Sequence, residues 1–573
     1  MSDPANSLAR DLALSTFRKV THTAYAASLL TPRRAFAKKI QAPEKHSAEK
    51  LKDILSRNEN TEFGRDHRFE RIDSVAEFQN KVPIRKYEEL APYIHRAAEG
   101  RPGVLTSEDV VAFERTSGSS SFSKLIPYTR SFLNELEMAT SAWLGDVIVR
   151  HPALLGKQSY WSLSPLVRRG EPVTKGGIPI GMESDLEYFN PVMRAMLSAL
   201  MVKPRLGHIA SGHSASVEQE SSSELTLDGK MTAWRLETAA ALLEARELGF
   251  ISIWSPTFLF PIFETIGAHW DEVIPLVTSR RRRIELDAIR DLHDPKENPQ
   301  SFYARVWPGL STVSCWSDGP SADTALKLEN FLPPNAEIEG KGLLATEGVV
   351  TIPFSGSPDP VIAIGSHFLE FIDLERPQGR PRLPHELKTG GLYSPLMTTS
   401  SGLYRYHLRD VLFCTGRNAE TPTLRFRGRL DKTSDLCGEK LDSAQVERAL
   451  EIASNTVGFR PDFFLLAPEF DGPLRYRAFI EAAGKNQDLR PRHEIAKFLE
   501  AFEKALKQNP HYAYALDLKQ LLPLEATVIE HGVETWEKHM LMQGHRLGDL
   551  KLSRLDSKYN WREVFQPVSR RDL

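Results

Sequence analysis

At 573 residues the chain is too long for one simple core, so a large domain and a smaller one are expected. Apolar residues at 41% and charged residues at 26% are the mix of a globular protein. The 73 basic side chains against 75 acidic ones leave a net charge of −2, which excludes the global basic field that gathers nucleic acid or anionic membrane.

From the N-terminus, residues 5–58 read as helices, with Leu8, Leu12 and Phe17 at helical spacing. Asp3 and Asp11 argue against an organelle transit peptide, so a cytoplasmic location is expected. Ser74 is placed to cap a short helix through Phe78, and Val82-Pro83 forces an extended turn before Tyr87. A strand-like lead at 110–113 runs into a small-residue loop, and 131–150 reads as the helix that follows. Residues 158–166 read as a buried strand, 176–181 as a tight loop and 190–201 as a helix. A long helix over 232–248 delivers a buried strand at 249–256. A helix at 258–269 and the segment 273–277 then continue the alternation of a doubly wound α/β sheet. The basic block 280–283 reads as a solvated turn or helix face. Residues 311–317, 349–353, 361–374 and 391–399 are β-type, the later ones in an antiparallel part of the large domain.

Past 428–432 the pattern changes. Asp442 with Gln445 reads as a capping box, with Val446, Ala449, Leu450 and Ile452 as the helical stripe behind it. Strands at 463–466 and 476–482, a helix at 493–508 and a strand at 526–529 complete an α+β unit. The expected division is 1–428 and 432–573, with a hinge between them. Cys315, Cys414 and Cys437 are sparse, odd in number and without metal-type spacing, which fits a reducing compartment. No apolar run approaches the roughly 18–20 residues of a membrane span.

Four separated elements suit a nucleotide. Thr116, Ser117, Gly118, Ser119 and Ser120 offer hydroxyls and amides that can wrap an anion, and Lys124 adds a positive charge. A Ser-rich surface loop is the plainer alternative, and no Walker sequence is present. Thr346-Glu347 offers a hydroxyl and a carboxylate able to hold Mg²⁺ beside phosphates. Asp410 closes a strand-like segment, where a carboxylate could bind ribose hydroxyls or pair with Arg405 or Arg409. Lys551 sits in the loop GDLKLSR of the small domain, as a site lysine or a solvated charge.

Together and in this order these elements resemble the adenylate-forming superfamily, and within it the Gretchen Hagen family of acyl-acid amido synthetases. The strings that carry the resemblance are TEFG at 61–64, VPIRKYEELAPYI at 82–94, TSGSSSFSK at 116–124, ATEG at 345–348, GLYRYHLRDV at 402–411 and FRGRLDK at 426–432. The resemblance implies a large N-terminal adenylation domain of layered α/β sheets and a small mobile α+β C-terminal domain. It implies ATP and Mg²⁺, and small carboxylic acid and amino acid substrates, with no nucleic acid partner and no stable membrane insertion. Thr116, Ser117, Gly118, Ser119, Ser120 and Lys124 would hold phosphates. Thr346 and Glu347 would contact phosphate and metal, Asp410 the ribose, and Arg429, Asp431 and Lys432 would form the hinge. Lys551 would stabilise charge on the α-phosphate and the attacking carboxylate. Where many relatives carry an aromatic residue before the ATEG string, this chain has Leu343 and Leu344. The acid pocket is expected from 160–165, 176–181 and 254–258. An acyl-CoA ligase using the same acyl-adenylate, and a non-catalytic nucleotide- or acid-binding protein, are the competing readings.

Overall fold

Helical periodicity gives the chain its first scaffold. In the computed structural model, helices Pro4–Lys39 and Pro43–Asn58 open the chain. The structure describes residues 4–115, 124–162, 172–181, 191–204 and 227–565, apart from 356, 431–432, 435, 438, 440, 470–473, 483–491, 519, 544, 546–549 and 558. Tyr25, Leu29 and Phe36 recur at helical intervals on the first helix and are buried. This helix packs on Arg130–Arg150, which Thr129 caps through the Phe132 amide at 3.2 Å. The two backbones approach closely at Gly145, where a Cβ would come within 2.7 Å of the Leu29 carbonyl. Asp146, fully buried beside it, is neutralised by Arg33 at 2.9 Å and Arg150 at 3.0 Å.

The chain divides into two units. The first takes in Met1–Ser317, Ser321–Leu408 and Phe413–Arg425. Within it lies a four-stranded parallel sheet in sequence order: Gln158–Trp161, Leu248–Ser252, Thr312–Cys315 and Glu337–Gly340. Its central strands are buried at every position, as expected of a parallel sheet covered on both faces. A second sheet runs in the order Phe368–Asp373, Leu392–Thr398, Asp410–Asn418, Thr421–Arg429, Val361–Ile362, Thr351–Ile352, with Tyr406–His407 paired to Leu392–Thr398.

Three local departures from the sequence reading have physical causes. Residues 270–276 are helical rather than a strand, as Trp270–Val273 and Ile274–Leu276. The long helix stops at Glu244, so Leu248 already belongs to the strand. The basic block is the first turn of the helix Arg280–Leu292, and Arg282 in it is buried. Its guanidinium donates to the carbonyls of Leu243 at 2.9 Å and Val306 at 2.7 Å, closing the ends of two other helices.

The second unit takes in Asp318–Pro320, Arg409–Leu412 and Phe426–Leu573. Helices Ser443–Val457 and Arg492–Leu506 share a core with the sheet Phe463–Glu469, Arg475–Glu481, Glu525–Val528. The capping box is present: Asp442 accepts the Gln445 amide at 2.8 Å and Gln445 the Asp442 amide at 3.1 Å. No helix among the described residues is long and apolar enough to cross a membrane.

The strings at 82–94 and 402–411 meet in the first unit. The Arg85 amide donates to the Arg405 carbonyl at 3.0 Å, and the His407 amide to the Arg85 carbonyl at 2.9 Å. Tyr404 stacks on Phe63 at 4.4 Å, bringing in the string at 61–64. Arg405, at φ 48 and 3% exposed, anchors the junction. Its guanidinium donates twice to Glu370 at 2.9 Å and to the carbonyls of Gln79 and Val82 at 2.7 Å. Arg405→Met strands the buried Glu370 carboxylate. It is expected to lower the unfolding free energy by about 3–5 kcal/mol in urea titration, and Arg405→Met/Glu370→Leu to recover most of that. A loss below about 1 kcal/mol in the single variant would show the pair to be dispensable.

Candidate active site

The small-residue stretch is the connection of a β-hairpin. Ala112–Arg115 pairs antiparallel with Leu125–Tyr128, Arg115 opposite Leu125, so one ladder holds both ends of 116–123. Thr116, Ser117, Gly118, Ser119 and Ser120 themselves lie outside the described residues. Lys124 is half-buried, its ammonium 5.4 Å from the centroid of the Tyr87 ring. The Tyr87 hydroxyl accepts the Leu125 amide at 2.8 Å. The glycine loop at 176–181 is tied to the incoming strand Ala112–Arg115, the Gly181 amide donating to the Phe113 carbonyl at 2.7 Å.

Thr346 and Glu347 are the tip of a second hairpin, between Leu344–Ala345 and Gly348–Val349. Three contacts fix that tip. The Tyr128 hydroxyl donates to the Thr346 carbonyl at 2.8 Å. The Tyr406 hydroxyl donates to Glu347 Oε1 at 3.3 Å. Gly348, at φ +147, lies so close to His367 and Met397 that a Cβ there would be 2.6 Å from both Nε2 and Sδ. Tyr128 ends the strand that leaves the small-residue loop, so one hydrogen bond joins the two hairpins. Side chains of both polarities needed for a phosphate–metal group therefore come from connected elements: a lysine ammonium, and a half-buried carboxylate.

Asp410, Arg429 and Lys551 belong to the second unit. Asp410 is 3% exposed, and its Oδ1 accepts Arg429 Nη1 at 3.1 Å. Two residues expected at the nucleotide thus pair with each other. Arg405 is held by Glu370 instead, and Arg409, at φ 65, donates to the Leu430 carbonyl at 3.4 Å. Lys551 is exposed and leads into a buried run. The Leu466 amide donates to the Arg554 carbonyl at 2.8 Å and the Asp556 amide to the Leu466 carbonyl at 3.0 Å, which pins the segment along the strand Phe463–Glu469. The lysine therefore sits on an anchored base. Asp431 and Lys432 lie outside the described residues.

At the carboxyl ends of the parallel strands, where open α/β sheets bind ligands, stands a lysine among tryptophans. Lys341 is 5% exposed, with its ammonium 5.0 Å from the Trp143 ring centroid, 5.2 Å from Trp254 and 6.0 Å from Trp161. It donates to Ser252 Oγ at 2.6 Å. Trp161, Trp254 and Trp316 are half-exposed, and Trp316 is 5.7 Å from Trp254. Tyr160 and Phe258, placed in an acid pocket by the sequence reading, are fully buried against each other and Trp234, so they are core. Burial pushes the Cys315 thiol up to about 12, which removes it as a nucleophile. Sequence reasoning missed Tyr128, Tyr406, His367 and Lys341. Tyr406 lies inside the string at 402–411, whereas nothing in the sequence marks His367.

Family models match three segments of the chain: the GH3 family N-terminal domain over residues 33–335, the central domain over 361–429 and the C-terminal domain over 444–560. Indole-3-acetic acid-amido synthetase GH3.4 of Arabidopsis thaliana is 23% identical over 568 residues, covering 89% of each chain. Probable indole-3-acetic acid-amido synthetase GH3.11 of Oryza sativa subsp. japonica is 23% identical over 533 residues, covering 84% of this chain and 86% of that one. Among solved structures, AtGH3.15 acyl acid amido synthetase in complex with 2,4-DB superposes with a TM-score of 0.77 at 19% identity, over 94% of this chain and 95% of that one.

Proposed function

The chain belongs to the GH3 family, and from that premise we propose that it is an ATP-dependent acyl-acid amido synthetase. It forms a carbon–nitrogen bond in two steps. A carboxylate oxygen attacks the α-phosphorus of ATP, and the bond to pyrophosphate breaks. The amine of an amino acid then attacks the acyl carbonyl, the bond to AMP breaks, and the amine gives up a proton. The observation that carries the reading is the pair of joined hairpins, with Lys124 at the end of one and Glu347 at the tip of the other.

Each side chain has a role its surroundings allow. The segment 116–123 and Lys124 hold the phosphates. Glu347 supplies one carboxylate to Mg²⁺. That fits the absence of any group of three or more metal-binding side chains among the described residues, since Mg²⁺ beside a nucleotide takes most of its oxygens from phosphate and water. When bound, the metal neutralises phosphate charge. The Tyr406 hydroxyl keeps the Glu347 carboxylate turned to one side. Asp410, oriented by Arg429, takes the ribose hydroxyls. Lys551, carried by the C-terminal domain across a hinge at 428–432, stabilises the charge that develops at the α-phosphate. The half-exposed tryptophans 161, 254 and 316 form the wall for the acid. A cytoplasmic location suits an enzyme that draws on ATP.

An amine, rather than coenzyme A, is the acceptor. An amino acid needs only a small pocket that pairs its carboxylate and leaves a neutral amine facing the carbonyl. Coenzyme A needs a basic groove for its phosphorylated arm. The densest basic run, 280–283, is the first turn of a helix, with Arg282 spent on backbone carbonyls.

Lys551→Ala is expected to slow adenylation, read as ATP–pyrophosphate exchange, by ~10²–10³-fold, with ATP affinity by calorimetry nearly unchanged. Equal exchange rates in variant and parent would remove Lys551 from the chemistry. The acceptor is tested by supplying ATP, magnesium and a competent acid with either the twenty amino acids or coenzyme A. An N-acyl amino acid is expected; a thioester and no amide would make the protein an acyl-CoA ligase.

A further inference from the structure

Beneath the Thr346–Glu347 tip lies a buried ionic cluster to which no role has yet been given. Its centre is Glu135, 3% exposed on the helix Arg130–Arg150. Glu135 Oε1 accepts the Lys50 ammonium at 2.5 Å and the Ser400 hydroxyl. Its Oε2 accepts His367 Nδ1 at 2.8 Å and the Ser400 amide at 3.3 Å. Burial pushes this carboxyl up, but the His367 ring and the Lys50 ammonium outweigh it and hold the group below the ordinary carboxylate range.

The His367 side chain is fully buried. One face stacks on Phe132 at 5.5 Å, and Phe132 meets the Tyr128 ring edge-on at 4.7 Å. With Nδ1 fixed by the carboxylate, the direction of Nε2 is fixed as well. Nε2 hydrogen-bonds to no described residue, and it points at Gly348. A buried nitrogen without a partner is unfavourable, and such orphans in native proteins call for a reason other than stability. Here the reason is at hand, because the ring edge lies directly behind the residue that follows Glu347. Any side chain at 348 would collide with it, so the glycine and the histidine are a matched pair. The same carboxylate also grips Ser400, six residues before the Tyr406 whose hydroxyl reaches Glu347. Of the three contacts that fix the tip, the His367 edge rests directly on this buried charge, and the chain that carries Tyr406 is held by it at Ser400.

We propose that the Glu135–His367 pair positions the adenylation turn. Glu135 orients the imidazole, and the Nε2 edge against Gly348 sets where Thr346 and Glu347 stand. His367 is a positioning residue that acts through the turn. Its effect on catalysis rests on the reading of Glu347 as the metal-holding carboxylate; its effect on the turn does not.

Two variants test this in the full chain. His367→Asn keeps an N–H for Glu135 and withdraws the ring edge from Gly348. Glu135→Gln keeps the shape and removes the charge. Each is checked for folding by circular dichroism, and if one fails to fold the other carries the test. Hydrogen–deuterium exchange of the peptide 343–350 is expected to rise about tenfold, while strands Phe463–Glu469 and Arg475–Glu481 exchange as in the parent. In pyrophosphate exchange, kcat is expected to fall ~10-fold or more with KM for the acid unchanged, and the magnesium concentration for half-maximal rate to rise. The double variant should lose no more than the worse single one. Unchanged deuterium exchange at 343–350 in a folded variant, even with a lowered melting temperature, would overturn the proposal; raised exchange there with kcat intact would uphold the positioning and overturn the catalytic reading of Glu347. A parent that exchanges no pyrophosphate with any acid would overturn the amido synthetase reading instead, and the deuterium measurement would still decide the positioning.

Discussion

A hairpin tip of two residues has no core of its own, so the position of Glu347 depends on what other elements press against it. In this protein those elements are far apart in sequence. Tyr128 comes from the strand after the small-residue loop, Tyr406 from the short strand beside Leu392–Thr398, and His367 from a buried corner held by Glu135. The Tyr128–Thr346 hydrogen bond is ordinary in strength, worth about 1 kcal/mol, the Tyr406 hydroxyl bonds a carboxylate, and His367 acts by close contact with Gly348. Their convergence from three directions is what places a carboxylate near the hairpin that carries Lys124 without a rigid strand beneath it. Preorganisation of this kind is what phosphoryl-centre chemistry asks of a protein, since the work is mainly positioning and charge.

The junction around Arg405 serves the same end one layer further out. A buried guanidinium satisfied by Glu370 and two backbone carbonyls fixes the turn into Tyr406, at a φ that a non-glycine residue adopts only when its surroundings hold it there. The strings at 61–64, 82–94 and 402–411 come together in this packing: Phe63 under Tyr404, Arg85 alongside Tyr406. Among their described residues, Tyr406 reaches Glu347, Tyr87 faces Lys124, and Asp410 is itself a candidate site residue.

Much of the fold was legible because local chemistry decides it. The Asp442–Gln445 capping box, the Ser74 cap and the helix after Thr129 follow from residues within four positions of one another. The alternation of apolar strands and helices gave the parallel sheet. What was not legible depends on long-range contacts. The pairing of His367 with Glu135 spans 232 residues, and that of Tyr128 with Thr346 spans 218. Arg282 looked solvated because its partners are carbonyls at the ends of distant helices. Tyr160 and Phe258 looked like pocket wall because strand alternation gives the face but not what covers it. Asp410 was placed as an acidic site residue from its position at a strand end, but its pairing with Arg429 needed the coordinates.

The central claim is that this chain activates a carboxylic acid as its adenylate. Carboxylate-dependent exchange of labelled pyrophosphate into ATP, run over a panel of aryl and alkyl acids without any amino acid, tests it most directly. The account predicts exchange that requires an acid, requires magnesium and proceeds with no acceptor present. Absence of exchange with every acid, or nucleotide cleavage that yields ADP in place of AMP, would contradict it.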